Sequence, residues 1–218
     1  MKKNILVINP NSTAEVTNAM DAAFNPLREL TGPSIKSITN PYGPPGIESQ
    51  EHADKVAIQV LDIVKENETV ADAFVIACFS DPGINSTREF TNKPVFGIAE
   101  SGILSALSLG NKFGIIAILD RSIPRHIRYI RSLGLEQRLA GDIAIGIGVT
   151  GLSDEKETFA RLEVVGEKLI KDKGADTLVL GCAGMARYRT RLQDSLGVAV
   201  VDPAQAAVSQ AITTLQLY

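Results

Sequence analysis

Short, continuous apolar runs alternate along this chain with longer stretches whose apolar residues recur at helical spacing. Ile5–Asn9 reads as a buried strand, and Ser12-Thr13-Ala14-Glu15 reads as a capping box, with Ser12 as cap, opening a helix through about Phe24. A strand is predicted over Ser34–Thr39. A long helix follows from about Gln50 to Glu66, with Ala53, Val56, Ala57, Val60, Leu61 and Val64 on its apolar face. The third strand ends at Cys78, and a short strand over Val95–Ala99 leads into a helix near Ser101–Leu109 that stops at Gly110. The cycle then restarts: strand Phe113–Leu119, helix Pro124–Leu133, strand Ile143–Val149, helix Asp154–Lys173, a strand ending at Cys182, strand Val198–Val201, and a closing helix from about Pro203. Strands alternating with amphipathic helices predict parallel sheets flanked by helices.

The second round matches the first. Ala71-Asp72-Ala73-Phe74-Val75-Ile76-Ala77-Cys78 and Ala175-Asp176-Thr177-Leu178-Val179-Leu180-Gly181-Cys182 share one layout, and they hold both cysteines of the chain. Strands Ile5–Asn9 and Phe113–Leu119 repeat at a similar offset. The expected fold is therefore α/β, with two pseudo-symmetric Rossmann-like αβα lobes, parallel sheets and a cleft between them. Lobe 1 spans 1–98 and lobe 2 spans 99–202, with the closing helix 203–218 a candidate to return to lobe 1. Each cysteine falls where a buried strand meets its loop, which is where open α/β sheets bind ligands.

Composition narrows the partners. The 218 residues carry a net charge of −3, with no Trp and 5% aromatics, which speaks against a nucleic-acid surface. No apolar run has the length of a membrane span, and Met1–Asn9 reads as a first strand rather than an export signal. Two reduced cysteines then point to the cytoplasm. No spacing of His, Cys, Asp and Glu suggests a metal site. Gly146-Ile147-Gly148-Val149-Thr150-Gly151 matches a dinucleotide fingerprint literally, but the carboxylates of Asp154, Glu155 and Glu157 follow it and would repel a pyrophosphate. No cofactor is expected, and the partner is a small-molecule substrate.

What remains is the thiol pair. A helix start after each cysteine would lower the thiol pKa and offer backbone N–H groups to an oxyanion. Asn11, Ser12 and Thr13 offer a second helix start at the cleft, and the stiff loop carrying Gly46, Ile47 and Glu48 suits a wall. His52 falls on the polar side of its helix. His126 lies among Arg125, Arg128 and Arg131, whose spacing reads as a solvated or interfacial face. Two opposed thiols fit proton transfer at an activated carbon, one removing Cα–H and the other protonating the opposite face.

The chain resembles the aspartate/glutamate/hydantoin racemase superfamily, and within it the hydantoin and allantoin racemase branch. The likeness is carried by Ile8-Asn9-Pro10-Asn11-Ser12-Thr13, Ile76-Ala77-Cys78-Phe79-Ser80-Asp81-Pro82-Gly83, Pro94-Val95-Phe96-Gly97-Ile98-Ala99-Glu100 and Leu180-Gly181-Cys182-Ala183-Gly184-Met185. The resemblance implies a cofactor-independent site between two lobes, with Cys78 and Cys182 as the acid–base pair. It also implies that Asn11 and the loops after each cysteine, with Phe79, Ser80, Ala183 and Gly184, help hold the substrate, and that the chain forms a homo-oligomer. There are two departures: Gly46 stands where the branch usually has Ser, and Ile116-Ala117-Ile118-Leu119 lacks hydroxyls expected there, which leaves Ala117 on the expected pocket wall. A decarboxylase or cis–trans isomerase on the same fold, or a small-molecule binding protein with inert thiols, are the alternatives.

Overall fold

The computed structural model describes residues 2–218; Met1, first residue of the expected 1–98 lobe, lies outside them. The first half holds β1 (Asn4–Asn9), α1 (Ala14–Ala23), β2 (Ser34–Thr39), α2 (Gln50–Asn67), β3 (Ala73–Ile76), α3 (Ile84–Phe90) and β4 (Val95–Gly97). Next come α4 (Ile98–Leu109), β5 (Phe113–Ala117), α5 (Ile123–Ser132), β6 (Leu139–Ala144), α6 (Glu155–Lys171), β7 (Thr177–Leu180), α7 (Arg189–Leu196), β8 (Ala199–Val201) and α8 (Pro203–Leu217). The strands form two four-stranded sheets, in the orders β2-β1-β3-β4 and β6-β5-β7-β8, and every pairing is parallel. The second order is the first repeated.

The central strands are apolar on both faces because both faces are covered. Ile5, Val7, Ile8, Phe74, Val75 and Ile76 in the first sheet, and Ile115, Ile116, Leu178, Val179 and Leu180 in the second, are completely buried. Burial of each such side chain contributes about 1.5–3 kcal/mol.

Two helices cross over. α4 follows the last strand of the first sheet, yet its Ala99, Ile103 and Ala106 pack with Phe113, Ile115, Val179 and Val201 of the second. α8 follows the last strand of the second sheet, yet its Ala204, Ala207, Val208, Ala211 and Leu215 pack with Ile5, Val7, Ala73 and Val75 of the first. The alanines bring α8 close to the sheet. Asp202 starts it by accepting a 2.9 Å hydrogen bond from the Ala204 N–H, with Pro203 in the first turn. Each half is thus completed by a helix from the other. Among the described residues, no helix is long and apolar enough to cross a membrane.

Two expectations fail locally. The strand expected over Ile143–Val149 lies earlier, at Leu139–Ala144. Gly141 and Asp142 hide it in the sequence, and Ile145, Ile147 and Val149 are apolar because their loop packs on the core. The Ser12–Glu15 capping box does not form either. Thr13 holds the cap position of α1 without a side-chain cap bond, and its hydroxyl donates instead to the Pro45 carbonyl at 2.7 Å.

Candidate active site

In each sheet the chain reverses its direction of winding between the two inner strands, β1 and β3 in one and β5 and β7 in the other. The loops leaving those strands diverge there and open a crevice. The two crevices face each other and form one cavity with about 400 Å³ of empty space, part of it open to solvent. Asn11 enters after β1, Cys78, Phe79 and Ser80 after β3, Ile118 and Ser122 after β5, and Cys182 and Ala183 after β7. Each cysteine lies two residues beyond its strand, so the duplicated framework delivers two thiols to one space from opposite lobes. Both are free.

Burial governs the thiols. It pushes Cys78 up to about 12, and Arg125 opposes that rise while Cys182 and Asp81 add to it and a Ser80 hydrogen bond offsets it. Burial also pushes Cys182 up to about 11, opposed by a hydrogen bond with the Gly184 backbone. This corrects the expectation of lowered values, and the backbone shows why. A tight turn follows Cys78, with α3 starting only at Ile84, and Cys182 is followed by a 3-10 segment over Ala183–Tyr188. Neither thiol faces the N-terminus of a long α-helix, so the dipole contribution is small.

The other expected residues divide into cavity walls and supports. Asn11 lines the cavity. Its side-chain oxygen accepts from the Thr13 N–H at 2.9 Å and from Asn9 Nδ2 at 3.0 Å, leaving the NH2 end as the group it can offer. Ser12 and Thr13 support the wall loop, the Ser12 N–H donating to the Pro44 carbonyl at 3.0 Å and the Thr13 hydroxyl to Pro45. Of that loop, Ile47 reaches the cavity and packs beside Cys78. Glu48 bridges the halves instead: its carboxylate accepts from the Val149 N–H at 2.9 Å and pairs with Arg121. That bridge explains Gly148 of the fingerprint-like run, since a Cβ there would lie 2.6 Å from Glu48 Oε1, while Gly146 is required by its left-handed backbone at φ +77°. Gly46 is equally constrained, because a Cβ there would lie 2.7 Å from Val149 Cβ. Ala117 is fully enclosed in β5, and its successor Ile118 is the wall. Gly184 lies just outside, in an adjoining groove. His52 is half-buried, with its Nδ1 3.0 Å from the Gly46 carbonyl oxygen.

The sequence reading missed a polar wall on α5. Arg125 is 9% exposed, lines the cavity and donates from Nε to the Ser80 hydroxyl at 2.7 Å. His126 also lines it, with Nδ1 2.8 Å from Asp142 Oδ2 and its ring edge-on to Phe79 at 5.1 Å. Burial raises Asp142 above the usual carboxylate range, against the opposing effect of His126. With Nδ1 committed, Nε2 is the ring nitrogen left for a ligand. The available signal was the inner face of α5, where His126 stands four residues before the buried Ile130. Of the other arginines, Arg128 donates to Gln50 Oε1 at 2.8 Å and Arg131 pairs with Glu136 at 2.6 Å, as an exposed face should. Among the described residues, no group of three or more His, Cys, Asp or Glu is placed to hold a metal ion.

Comparison with known proteins gives the family and the fold. Residues 5–211 match the family model described as Asp/Glu/Hydantoin racemase. The hydantoin racemase of Paenarthrobacter aurescens is 36% identical over 208 residues, covering 93% of this chain and 87% of that protein. The structure of allantoin racemase from Klebsiella pneumoniae superimposes with a TM-score of 0.94 at 30% identity, covering 99% of this chain and 89% of that one. Glutamate racemase RacE1 from Bacillus anthracis shares the fold, with a TM-score of 0.73 at 21% identity, over 99% of this chain and 82% of that one. On the family match and these relatives, the chain belongs to the Asp/Glu/hydantoin racemase family and is an enzyme of the isomerase class.

Proposed function

We propose that this enzyme racemises a carbon acid flanked by amide carbonyls, a 5-substituted hydantoin or allantoin, by proton transfer through Cys78 and Cys182. The observation that carries the reading is the pair of thiols entering one cavity from equivalent positions in two pseudo-symmetric sheets. In one direction a thiolate removes the proton from the stereocentre, and the electron pair of that C–H bond passes into the adjacent carbonyl as an enolate. The thiol on the opposite face then delivers its proton to the same carbon. The enzyme ends with the two protonation states exchanged, ready for the other enantiomer. No further reactant is consumed.

The polar wall supports the charged species. The Arg125 guanidinium favours the Cys78 thiolate, while the Gly184 backbone hydrogen bond does so for Cys182. The free NH2 end of Asn11 can donate to a carbonyl or to the developing oxyanion, and Nε2 of His126 can hydrogen-bond the substrate ring. Free thiols suit a reducing compartment such as the cytoplasm.

The test is racemisation of 5-methylhydantoin, 5-benzylhydantoin and allantoin by wild type, Cys78→Ser and Cys182→Ser, followed by optical rotation. Each replacement removes one general acid–base and is expected to reduce kcat/KM by about 10²–10⁴-fold. Full activity in either variant would exclude the thiol pair.

A further inference from the structure

Next to the thiol cavity, a groove runs between the start of α1, the turn at Val149–Ser153 and the turn after Cys182. It holds about 660 Å³ of empty space, counting its open mouth. Groove and cavity meet at Val16 and Val149, which line both. The junction passes over Gly184, where a Cβ would stand 3.6 Å from Cys182 Sγ, 3.0 Å from Leu152 Cδ1 and 4.0 Å from Val16 Cγ1. Glycine at this position therefore leaves a way from the thiol into the groove. On the α5 side, Phe79, Ser80, Arg125 and His126 also line a smaller and more enclosed pocket, with about 250 Å³ of empty space against about 660 Å³ in the groove.

The groove is apolar where it is deep. Val16, Ala19, Val149 and Leu152 line it, while Glu15 and Arg187 are exposed and Arg187 is paired with Glu155 at 3.3 Å. Three hydroxyls line it, on Thr13, Thr150 and Ser153; Thr13 donates to the Pro45 carbonyl at 2.7 Å and Ser153 to the Thr150 carbonyl at 3.2 Å, which leaves both able to accept but not to donate to a ligand. We propose that this groove receives the substituent on the substrate's stereocentre, and that it takes an apolar group such as benzyl in preference to the polar ureido group of allantoin. The assignment rests on the racemase reading above. With the ring held against the polar wall of α5 and the reacting carbon between the thiols, the substituent leaves over Gly184. A ureido group would carry its N–H donors past Val16 and Leu152, whereas the side-chain acceptors of the groove belong to Thr13 and to the exposed Glu15, Thr150 and Ser153, and a donor left unpaired on the deep wall lowers affinity.

The experiment compares kcat/KM for 5-benzylhydantoin, 5-methylhydantoin and allantoin in wild type, Ala19→Phe and Ser153→Phe. Both replacements fill the groove, from different walls, so that failure of one to fold leaves the other. Wild type is expected to favour 5-benzylhydantoin over allantoin by at least about tenfold, and each folded variant to reduce the benzyl-to-methyl ratio by at least about tenfold, the scale of steric discrimination in an apolar pocket. If hydantoins are racemised but allantoin is the best substrate, or the ratio is unchanged in the variants, the groove assignment is overturned and the racemase reading stands. If no substrate is racemised, the reading of the reaction fails and takes the assignment with it.

Discussion

The thiols of Cys78 and Cys182 are held protonated by burial, at about 12 and about 11. A base must be ionised to remove a proton, so the active fraction of free enzyme rises with pH until the first thiol titrates. The expected log kcat/KM profile climbs through pH 7–9 with no plateau; a plateau beginning near pH 7 would show a thiol whose ionisation is favoured instead. Arg125 sets the position of that limb. Replacing it with Gln removes the cation beside Cys78, moves the limb to higher pH and lowers kcat/KM at pH 8 by roughly tenfold, one pKa unit's worth. Lys at 125 should restore part of the loss, although it lacks the planar fork that reaches Ser80. Because the two enantiomers have equal energy, kcat/KM must fall equally for both, whichever one is supplied. An Arg125→Gln variant with an unmoved profile would leave the residue a purely structural role.

At the scale of elements, the wall loop is fixed by bonds between halves. Glu48 reaches the Val149 N–H and Arg121, and the Thr13 hydroxyl reaches Pro45. Glu48→Gln keeps the size of the side chain but weakens both contacts of the carboxylate. It is expected to raise KM more than it lowers kcat, and to cost about 1–3 kcal/mol at most in thermal or urea unfolding, as for a hydrogen bond to a charged group. Gly46→Ser should cost activity as well, because the new Cβ meets the Cβ of Val149, and Gly46→Ser combined with Val149→Gly, which removes that Cβ, should recover part of it. A single variant as active as wild type would show that the loop yields freely. The strand and helix pattern of the chain was largely legible, since apolar runs such as Phe74–Ile76 and Leu178–Leu180 allow few other readings. The position of both thiols at the cleft was legible from the repeat. The parts that were not depend on partners distant in sequence. Arg125 reads as a surface arginine until Ser80 and Cys78 are folded against it, and Gly148 as a phosphate loop until Glu48 arrives. Ser12 reads as a cap until the loop with Pro44 and Pro45 competes for the local hydrogen bonds.

For the whole molecule, the exchange of α4 and α8 makes neither half complete alone. Removing residues 203–218 would expose the face of the first sheet formed by Ile5, Val7, Ala73 and Val75. Such a chain is expected to aggregate or stay unfolded, and the full chain to unfold in urea in one transition, with circular dichroism and thiol accessibility changing together. A larger side chain at the α8 contact, Ala207→Leu, should destabilise by about 1–3 kcal/mol through overpacking. Two separate transitions would contradict the exchange as a source of cooperativity. The same exchange fixes the lobes face to face, with one thiol entering the shared cavity from each. The most direct test of this arrangement is to start wild-type enzyme in D2O with each pure enantiomer of 5-methylhydantoin and stop at low conversion. With two thiols on opposite faces, the inverted product carries solvent deuterium while the recovered substrate keeps its protium, from either starting enantiomer. Deuterium appearing equally in recovered substrate and product would mean that one base serves both faces, and would contradict the two-thiol account.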